Sequence, residues 1–170
     1  MTYLAKPLLI VAALALGACT DAGRFGKDDP AAAGGAGSGM VPGSASDPAS
    51  PVYFQQTIGD RVLFEVDQHT LSAEAKQTLD GQASWLNTNN DYSAVIEGHA
   101  DEQGTREYNL SLGARRANAV REYLMSRGLP SSRLKTVSYG KERPIEVCSE
   151  ESCYRQNRRA VTVLRAGLSS

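Results

Sequence analysis

A long predicted helix in the second half of the chain carries two polar side chains within its otherwise apolar side. At about 100° per residue, Asn109 and Arg116 lie two turns apart on that side, with Gly113 between them. Burial of an unpaired charge is costly, so Arg116 needs a partner. The sequence leaves two kinds of partner open: an internal carboxylate, such as that of Asp67 or Asp101, or a charged ligand.

Gly113 bears on that choice because glycine in a helix interior costs about 1 kcal/mol relative to alanine. The cost is understandable if another group must approach the helix closely at this point. The position therefore favours the floor of a ligand cleft as much as an internal ion pair. In such a cleft, an arginine and an aspartate would bind a ligand that carries the opposite charges.

The segment from Gly98 to Gly104 supplies the aspartate. It leaves the carboxyl end of a predicted strand, where α/β sheets usually bind their ligands, so Asp101 would face the start of the next helix. We expect His99 to be an interior, hydrogen-bonded histidine. His99 and His69 lie far apart in the chain, and no closely spaced ligand set accompanies them, so the sequence predicts no metal site.

An enzymatic interpretation of the same segment would use Glu97, Asp101 or Glu102 as acid and base in a hydrolysis reaction. No nucleophile–base signature or metal motif accompanies these carboxylates. A cationic arginine in the cleft suits static recognition better than turnover. The sequence therefore favours a binding protein with no catalytic residues and no cofactor.

The elements that must position these residues follow from hydrophobic periodicity. Residues 61–66 alternate between apolar and polar, as a strand does, whereas Leu71, Leu79 and Leu86 recur at helical spacing after a cap at Thr70 or Ser72. The predicted elements are a strand at 61–66, a helix at 71–86, a strand at 92–99, a helix at 105–127, and strands at 134–139 and 160–164. This β-α-β-α-β-β order predicts an α/β (α+β) sandwich, with helices packed on a mixed sheet.

Composition limits the kinds of partner. The chain has 170 residues, of which 41% are hydrophobic and 22% charged, enough for one domain and an appendage. Eighteen basic residues against 19 acidic ones give a net charge of −1. Because no strongly basic surface is indicated, nucleic acid is not an expected partner.

The N-terminus looks like a bacterial lipoprotein signal. Lys6 precedes an apolar run that is shorter than the roughly 20 residues a membrane span needs. The run ends at Leu16-Gly17-Ala18-Cys19, which resembles a lipobox, although ordinary secretory cleavage is the alternative. We expect residues 1–18 to be removed and Cys19 to be lipidated. Thr20, rather than aspartate, follows the cysteine and favours the outer membrane.

The remaining divisions follow from composition. Residues 19–51 are rich in Gly, Ala, Ser, Asp and Pro, so we expect a disordered tether, about 30 Å long on average and about 100 Å when stretched. A folded domain spans residues 52–166, and residues 167–170 form a tail. Cys148 and Cys153 lie in a predicted loop. In an oxidising compartment they would form a disulfide, and two reduced thiols are the alternative.

Several segments of the folded part carry a family resemblance. They are Val95–Asp101 with Gly104, Tyr108–Gly113 with Arg115-Arg116-Ala117, Val137–Gly140 with Pro144, and Asn157–Val161. Together they resemble the peptidoglycan-binding motif of OmpA-like domains, and the match covers residues 51–164. The resemblance is specific because separate motifs occur in the family's order.

The resemblance implies a ligand and a set of site residues. The ligand is the diaminopimelate side chain of the peptidoglycan stem, whose free end carries an ammonium and a carboxylate. By similarity, Asp101 accepts from the ammonium and Arg116 grips the carboxylate through two hydrogen bonds, with Asn109 nearby. Asp67 matches the aspartate of the family's first-strand motif and is expected to support the site. Arg158 is expected either to line the cleft or to form a structural ion pair.

The resemblance also implies partners. With a lipidated Cys19 and a short tether, the chain looks like the lipid-anchored family members that work with the Tol system. We therefore expect peptidoglycan, the outer membrane, the periplasmic propeller protein of the Tol system and the Tol inner-membrane complex as partners. The implied role is envelope integrity and constriction of the outer membrane at cell division. A different OmpA-like lipoprotein without a Tol link is the alternative.

Overall fold

The computed structural model describes residues 41–167 of the chain. The predicted signal peptide (1–18), Cys19, residues 20–40 of the predicted tether and residues 168–170 of the tail lie outside the described residues. Within the described part, no helix is both long enough and apolar enough to cross a membrane.

The described residues form a mixed sheet with helices packed on it. In chain order the elements are α1 (Pro51–Tyr53, continued by a π-helical turn at Phe54–Gly59), β1 (Arg61–Leu63), α2 (Ala73–Thr88), β2 (Tyr92–His99), α3 (Arg106–Ser126), a 3-10 turn (Ser131–Arg133), β3 (Leu134–Gly140), α4 (Glu151–Asn157) and β4 (Arg159–Ala166). The strand order is β1-β4-β2-β3. β2 and β3 are parallel, whereas β4 runs antiparallel to β1 and β2. The predicted α/β sandwich is confirmed.

Each of the two long helices has a capping side chain at its N-terminus and an apolar face that is buried in the core. The side chain of Ser72 accepts a hydrogen bond from the amide of Ala75 at the start of α2, and that of Thr105 caps α3 in the same way. Leu79 of α2 and Leu124 of α3 are completely buried in the core, which the sheet closes from the other side. Burial of such side chains is the main stabilising contribution to this fold.

The N-terminal part of the described chain differs from the expected tether. Residues 41–50 form a series of turns, and Ser50, although polar, is buried. The indole Nε1 of Trp85 in α2 donates a 2.7 Å hydrogen bond to the carbonyl oxygen of Pro48. The turns therefore lie against the folded domain, because a buried indole N–H needs an acceptor and this segment supplies one.

Two further elements depart from the predictions. β1 was predicted to continue to residue 66, but it ends at Leu63, after which the chain turns away from the sheet. The helix α4 was not predicted at all, and it occupies the connection between β3 and β4. Both differences lie next to the residues predicted to bind a ligand.

Candidate functional site

The helix α3 lies directly on β2 because two glycines face each other. A Cβ atom at Gly98 would collide with the backbone of Gly113, and a Cβ atom at Gly113 would lie 2.8 Å from the carbonyl oxygen of Gly98. The predicted close approach to Gly113 therefore exists, but the approaching group is the sheet and not a ligand. The contact fixes α3 at the end of β2 and so positions Arg116, one turn further along the helix.

Arg116 binds backbone carbonyls and is completely buried. Its Nε donates to the carbonyl oxygen of Gln68 at 2.8 Å, its Nη1 to that of His99 at 2.8 Å, and its Nη2 to that of Glu65 at 3.1 Å. No carboxylate of the described residues lies within ion-pair distance of it, so the internal pair with Asp67 or Asp101 does not form. Arg116 instead joins the loop after β1 to the end of β2.

The environment of Arg116 is strongly desolvated. Its guanidinium carbon lies 5.2 Å from the ring centroid of Phe64. Burial lowers the pKa of Arg116 to about 10, and the charge of Arg158 lowers it as well. The negative charges of Asp101 and Asp67 oppose that effect. Both predicted aspartates therefore act on Arg116 through space, without a direct ion pair, and the guanidinium stays positive at neutral pH.

Asp101 pairs with another buried arginine, Arg158. Nη1 of Arg158 lies 3.2 Å from Oδ2 of Asp101, and Nε of Arg158 donates to the carbonyl oxygen of Phe64 at 3.1 Å. The other carboxylate oxygen of Asp101 accepts from the amide of Gln103 at 3.2 Å. Both charged residues are buried in the described chain. Arg158, which the sequence could assign either to the cleft or to an ion pair, forms the ion pair.

Asn109 supports the loop that carries Asp101. Its side chain is buried, and Nδ2 donates a 2.7 Å hydrogen bond to the carbonyl oxygen of Gln103. Gly104 follows with a positive φ of 88°, a conformation that glycine adopts without strain. Asn109 therefore holds the turn from Asp101 to Gly104 rather than pointing into solvent.

Asp67 lies at the tip of the loop after β1 and is exposed. Its φ is +56°, the left-handed conformation that aspartate tolerates better than most residues. Oδ1 of Asp67 accepts a 3.2 Å hydrogen bond from the hydroxyl of Tyr108 on α3. This bond fastens the loop, whose carbonyls surround Arg116, to the helix from which Arg116 projects.

Glu151 is a site residue that sequence reasoning missed. Its carboxylate binds Arg158 through two contacts, Oε1 to Nη2 and Oε2 to Nη1, the second at 3.3 Å. Arg158 lowers the pKa of Glu151 through these hydrogen bonds. Glu151 is the first residue of α4, a helix of seven residues. An element shorter than two full turns gives almost no periodic signal, so the sequence did not reveal it.

The connection that carries Glu151 is fixed at several points. Cys148 and Cys153 form a disulfide, with their Cα atoms 5.9 Å apart. The hydroxyl of Tyr154 donates to Oε1 of Glu102 at 3.0 Å, and the hydroxyl of Ser149 binds the same oxygen at 3.3 Å. These contacts join α4 and the disulfide loop to the turn that begins at Asp101.

His99 is buried as expected, with 2% of its surface exposed, but it is not hydrogen-bonded through its ring. Neither ring nitrogen has a hydrogen-bond partner among the described residues. Desolvation lowers the pKa of His99 to about 4, and the charges of Arg159 and Arg143 lower it as well. Its carbonyl oxygen serves the site by accepting from Arg116. Among the described residues, no cluster of three potential metal ligands occurs.

A cavity of about 330 Å³ adjoins the loop after β1, and Phe64, Glu65, Thr70 and Arg155 are among its lining residues. The five predicted ligand-binding residues do not line it. Arg116 is completely buried, and the loop after β1 supplies two of the three carbonyl oxygens that it binds.

Comparison with known proteins matches the sequence of this chain to a family. Residues 63–159 match the model of the OmpA family. A peptidoglycan-associated lipoprotein from Mesorhizobium japonicum is 51% identical over 157 residues, which is 92% of this chain and 89% of that protein. One from Rhizobium meliloti is 49% identical over 165 residues, 96% of this chain and 90% of that protein.

A solved crystal structure has a similar fold. The crystal structure of the peptidoglycan-associated lipoprotein from Burkholderia pseudomallei superposes with a TM-score of 0.63 at 35% identity, covering 71% of this chain and 98% of that one. The family match spans more than half of the chain, and the relatives cover nearly all of it. The chain therefore belongs to the OmpA family and, within it, to the peptidoglycan-associated lipoproteins.

Proposed function

We propose that the protein holds peptidoglycan without covalent chemistry by binding the free end of diaminopimelate, and that lipidated Cys19 anchors it to the outer membrane. One observation carries the proposal. Arg116 is completely buried, keeps a positive charge, and has no carboxylate partner among the described residues. A buried charge without a counterion is costly, so a ligand carboxylate is the natural partner.

Hydrogen-bond capacity fits such a ligand. A guanidinium has five N–H bonds, and Arg116 donates three of them to carbonyls, one from each nitrogen. One N–H therefore remains on each terminal nitrogen, and a carboxylate can accept from both. The ligand gains access when the loop tipped by Asp67 opens and the 3.2 Å bond to Tyr108 breaks.

Asp101 provides the opposite charge. A carboxylate offers about four lone-pair sites, and two on Asp101 are used, by Arg158 and by the amide of Gln103. The remaining sites can accept from the ligand's ammonium. Asn109 and Arg158 hold Asp101 and its turn in place, and Asp67 acts on Arg116 through its charge. The site is then complementary to a zwitterion, which is bound without turnover.

The lipid anchor at Cys19 and the clamp, which is the ligand site formed by Arg116 and Asp101, together link two layers of the envelope. The relatives are named as lipoproteins associated with peptidoglycan, which supports both ends of that link. We further propose that the Tol propeller protein and, behind it, the Tol inner-membrane complex are partners. Exposed apolar side chains of Val66, Tyr108 and Leu110 near the site give the propeller a surface that overlaps the wall-binding residues.

The decisive experiment is calorimetric titration of the full-length chain in detergent with two soluble stem peptides. One contains diaminopimelate, and the other contains lysine at that position and so lacks the terminal carboxylate. We expect the diaminopimelate peptide to bind at least tenfold more tightly. Asp101→Asn and Arg116→Lys should each cost about 2 kcal/mol of binding free energy, because each leaves a ligand charge poorly paired.

Arg115→Lys is the matched control, because Arg115 is exposed on the polar side of α3 and binds Ser111. It should bind like the wild type. Equal affinity for both peptides, or unchanged binding by both site variants, would overturn the clamp. Release of soluble fragments from purified wall would contradict binding without turnover.

A further inference from the structure

Arg158 sits between two carboxylates. Its guanidinium binds Glu151 through two contacts and Asp101 through one of 3.2 Å. One positive charge therefore meets two negative ones, and the trio keeps a net charge of −1. Glu151 makes more contacts with Arg158 than Asp101 does. The field of Glu151 offsets that of Arg158, so Arg158 cancels less of the field that Asp101 exerts on a nearby ligand.

The consequence for ligand binding follows from Coulomb's law. Without Glu151, Asp101 and Arg158 would form a neutral pair, and a nearby ammonium would gain little from it. The positive charge of Arg116 would then dominate the site and repel the ammonium. With Glu151, the Asp101 side of the site stays negative while the Arg116 side stays positive. Only this separation of charge matches a zwitterion.

We propose that Glu151 is a specificity-determining residue of the diaminopimelate site, because its carboxylate offsets Arg158 and leaves the charge of Asp101 for the ligand's ammonium. The inference rests on the proposed function and assigns to α4 a part in it. Glu151 itself is largely exposed, with 65% of its side-chain surface accessible, and it acts on the ligand through Arg158 and Asp101.

The disulfide keeps Glu151 in register with Arg158. The bond between Cys148 and Cys153 closes the chain around residues 149–152, and Ser149 and Tyr154 on either side of Glu151 both bind Glu102. A short exposed helix without such ties would fray. The carboxylate of Glu151 is therefore held where it can bind both terminal nitrogens of Arg158.

The test compares Glu151→Gln with Glu150→Gln in the full-length chain. Both substitutions remove one negative charge from adjacent, exposed positions, but the side chain of Glu150 makes no contact with Arg158 among the described hydrogen bonds. Glutamine at 151 can still accept from Arg158, so the fold is kept. We expect Glu151→Gln to weaken binding of the diaminopimelate peptide about tenfold, and Glu150→Gln to change it less than twofold.

A second ligand distinguishes the loss of the negative charge at position 151 from a structural effect of the substitution. When the terminal amine of the diaminopimelate peptide is acetylated, no ammonium remains, so Glu151→Gln should then bind as well as the wild type. Glu151→Asp, which keeps the charge, should stay within threefold of the wild type on the unmodified peptide. Equal losses for both ligands, or equal losses at positions 150 and 151, would overturn the role of Glu151. Failure of the wild type to bind either peptide would instead overturn the proposed function.

Discussion

Arg116 and Arg158 are both buried next to the same loop, yet their partners differ in kind. Arg116 binds three neutral carbonyl oxygens, so its charge stays uncompensated by direct contact. Arg158 binds two carboxylates, which more than neutralise it. Two arginines that look equivalent in the sequence therefore give the site a positive end and a negative end.

The sequence could not reveal which arginine pairs with which carboxylate. Helical phase showed that Arg116 faces the apolar side of α3, and a strand end located Asp101. The ion pair, however, joins residues 57 positions apart and depends on the placement of α4 and on the alignment of β4 with β2. No local pattern encodes these long-range relations, so the predicted residues were found without their partners.

His99 gives a prediction on acid stability at the scale of one residue. Its pKa is held at about 4 in the folded protein, and Glu97, 3.8 Å away, does not offset desolvation and the charges of Arg159 and Arg143. Above pH 6.5, the ring is neutral whether the protein is folded or unfolded. Below pH 6.5, His99 is protonated in the unfolded chain but stays neutral in the folded protein. The free energy of unfolding therefore falls as the pH drops towards 4.

Between pH 7 and pH 4, His99 should lower the free energy of unfolding by about 3 kcal/mol. The slope is about 1.4 kcal/mol per pH unit between the pKa of the unfolded chain and that of the folded protein. Urea unfolding at both pH values measures it. His99→Phe, which cannot titrate, should lose about 3 kcal/mol less than the wild type over that range. His69→Gln, at an exposed position, should behave like the wild type. The same pH dependence in His99→Phe would show that His99 is not responsible.

At the scale of elements, the contact between α3 and β2 gives a prediction on packing. Gly113→Ala should destabilise the domain by more than about 3 kcal/mol, because the added methyl group meets the backbone of Gly98 and the hydroxyl of Ser138, and backbone cannot move aside. Thermal or urea unfolding measures the change. The helix must lift from the sheet, and Arg116 moves with it.

Gly81→Ala in α2 is the matched control. Gly81 also lies inside a helix, but an added methyl group would approach only a side-chain atom, Cγ2 of Ile58, at 3.2 Å. That side chain can adjust, and alanine favours helix by about 1 kcal/mol. We expect Gly81→Ala to be neutral or stabilising. Similar losses at the two positions would mean that helix propensity, and not contact with the sheet, governs both.

The elements that periodicity predicted well are those with long, regular patterns. β2 was predicted at residues 92–99 and α3 at 105–127, and the structure places them at Tyr92–His99 and Arg106–Ser126. β1 was predicted three residues too long, although residues 64–66 continue the alternating pattern of a strand. They leave the sheet because Arg158 binds the carbonyl oxygen of Phe64, and Arg116 binds those of Glu65 and Gln68. Tertiary hydrogen bonds override local pattern there.

At the scale of the whole molecule, Trp85 joins the N-terminal segment to the domain. Its ring packs on Phe54 and Tyr92, with centroids 5.0 and 5.2 Å away, and its N–H binds Pro48. Trp85→Phe keeps an aromatic ring but removes the hydrogen bond. We expect amide hydrogen exchange at residues 44–50 to accelerate at least tenfold, since local opening no longer breaks that bond.

Thr88→Ala is the control for that measurement. It removes a side-chain hydrogen bond from the same helix, to the carbonyl oxygen of Ser84, at an exposed position that makes no hydrogen bond to the N-terminal segment. Exchange at residues 44–50 should then match the wild type. Unchanged exchange in Trp85→Phe would show that the turns are held by other contacts.

The hydrogen bond between Trp85 and Pro48 affects how the protein responds to a pulling force. A pull on the N-terminal chain reaches the turns at residues 41–50 before it reaches β1. These ten residues can straighten to roughly 30 Å, at about 3.4 Å each, once a single hydrogen bond and a few turns have given way. The protein would lengthen under load while its sheet and the residues around Arg116 keep their arrangement, so a sudden pull would extend these turns before it could unfold the domain.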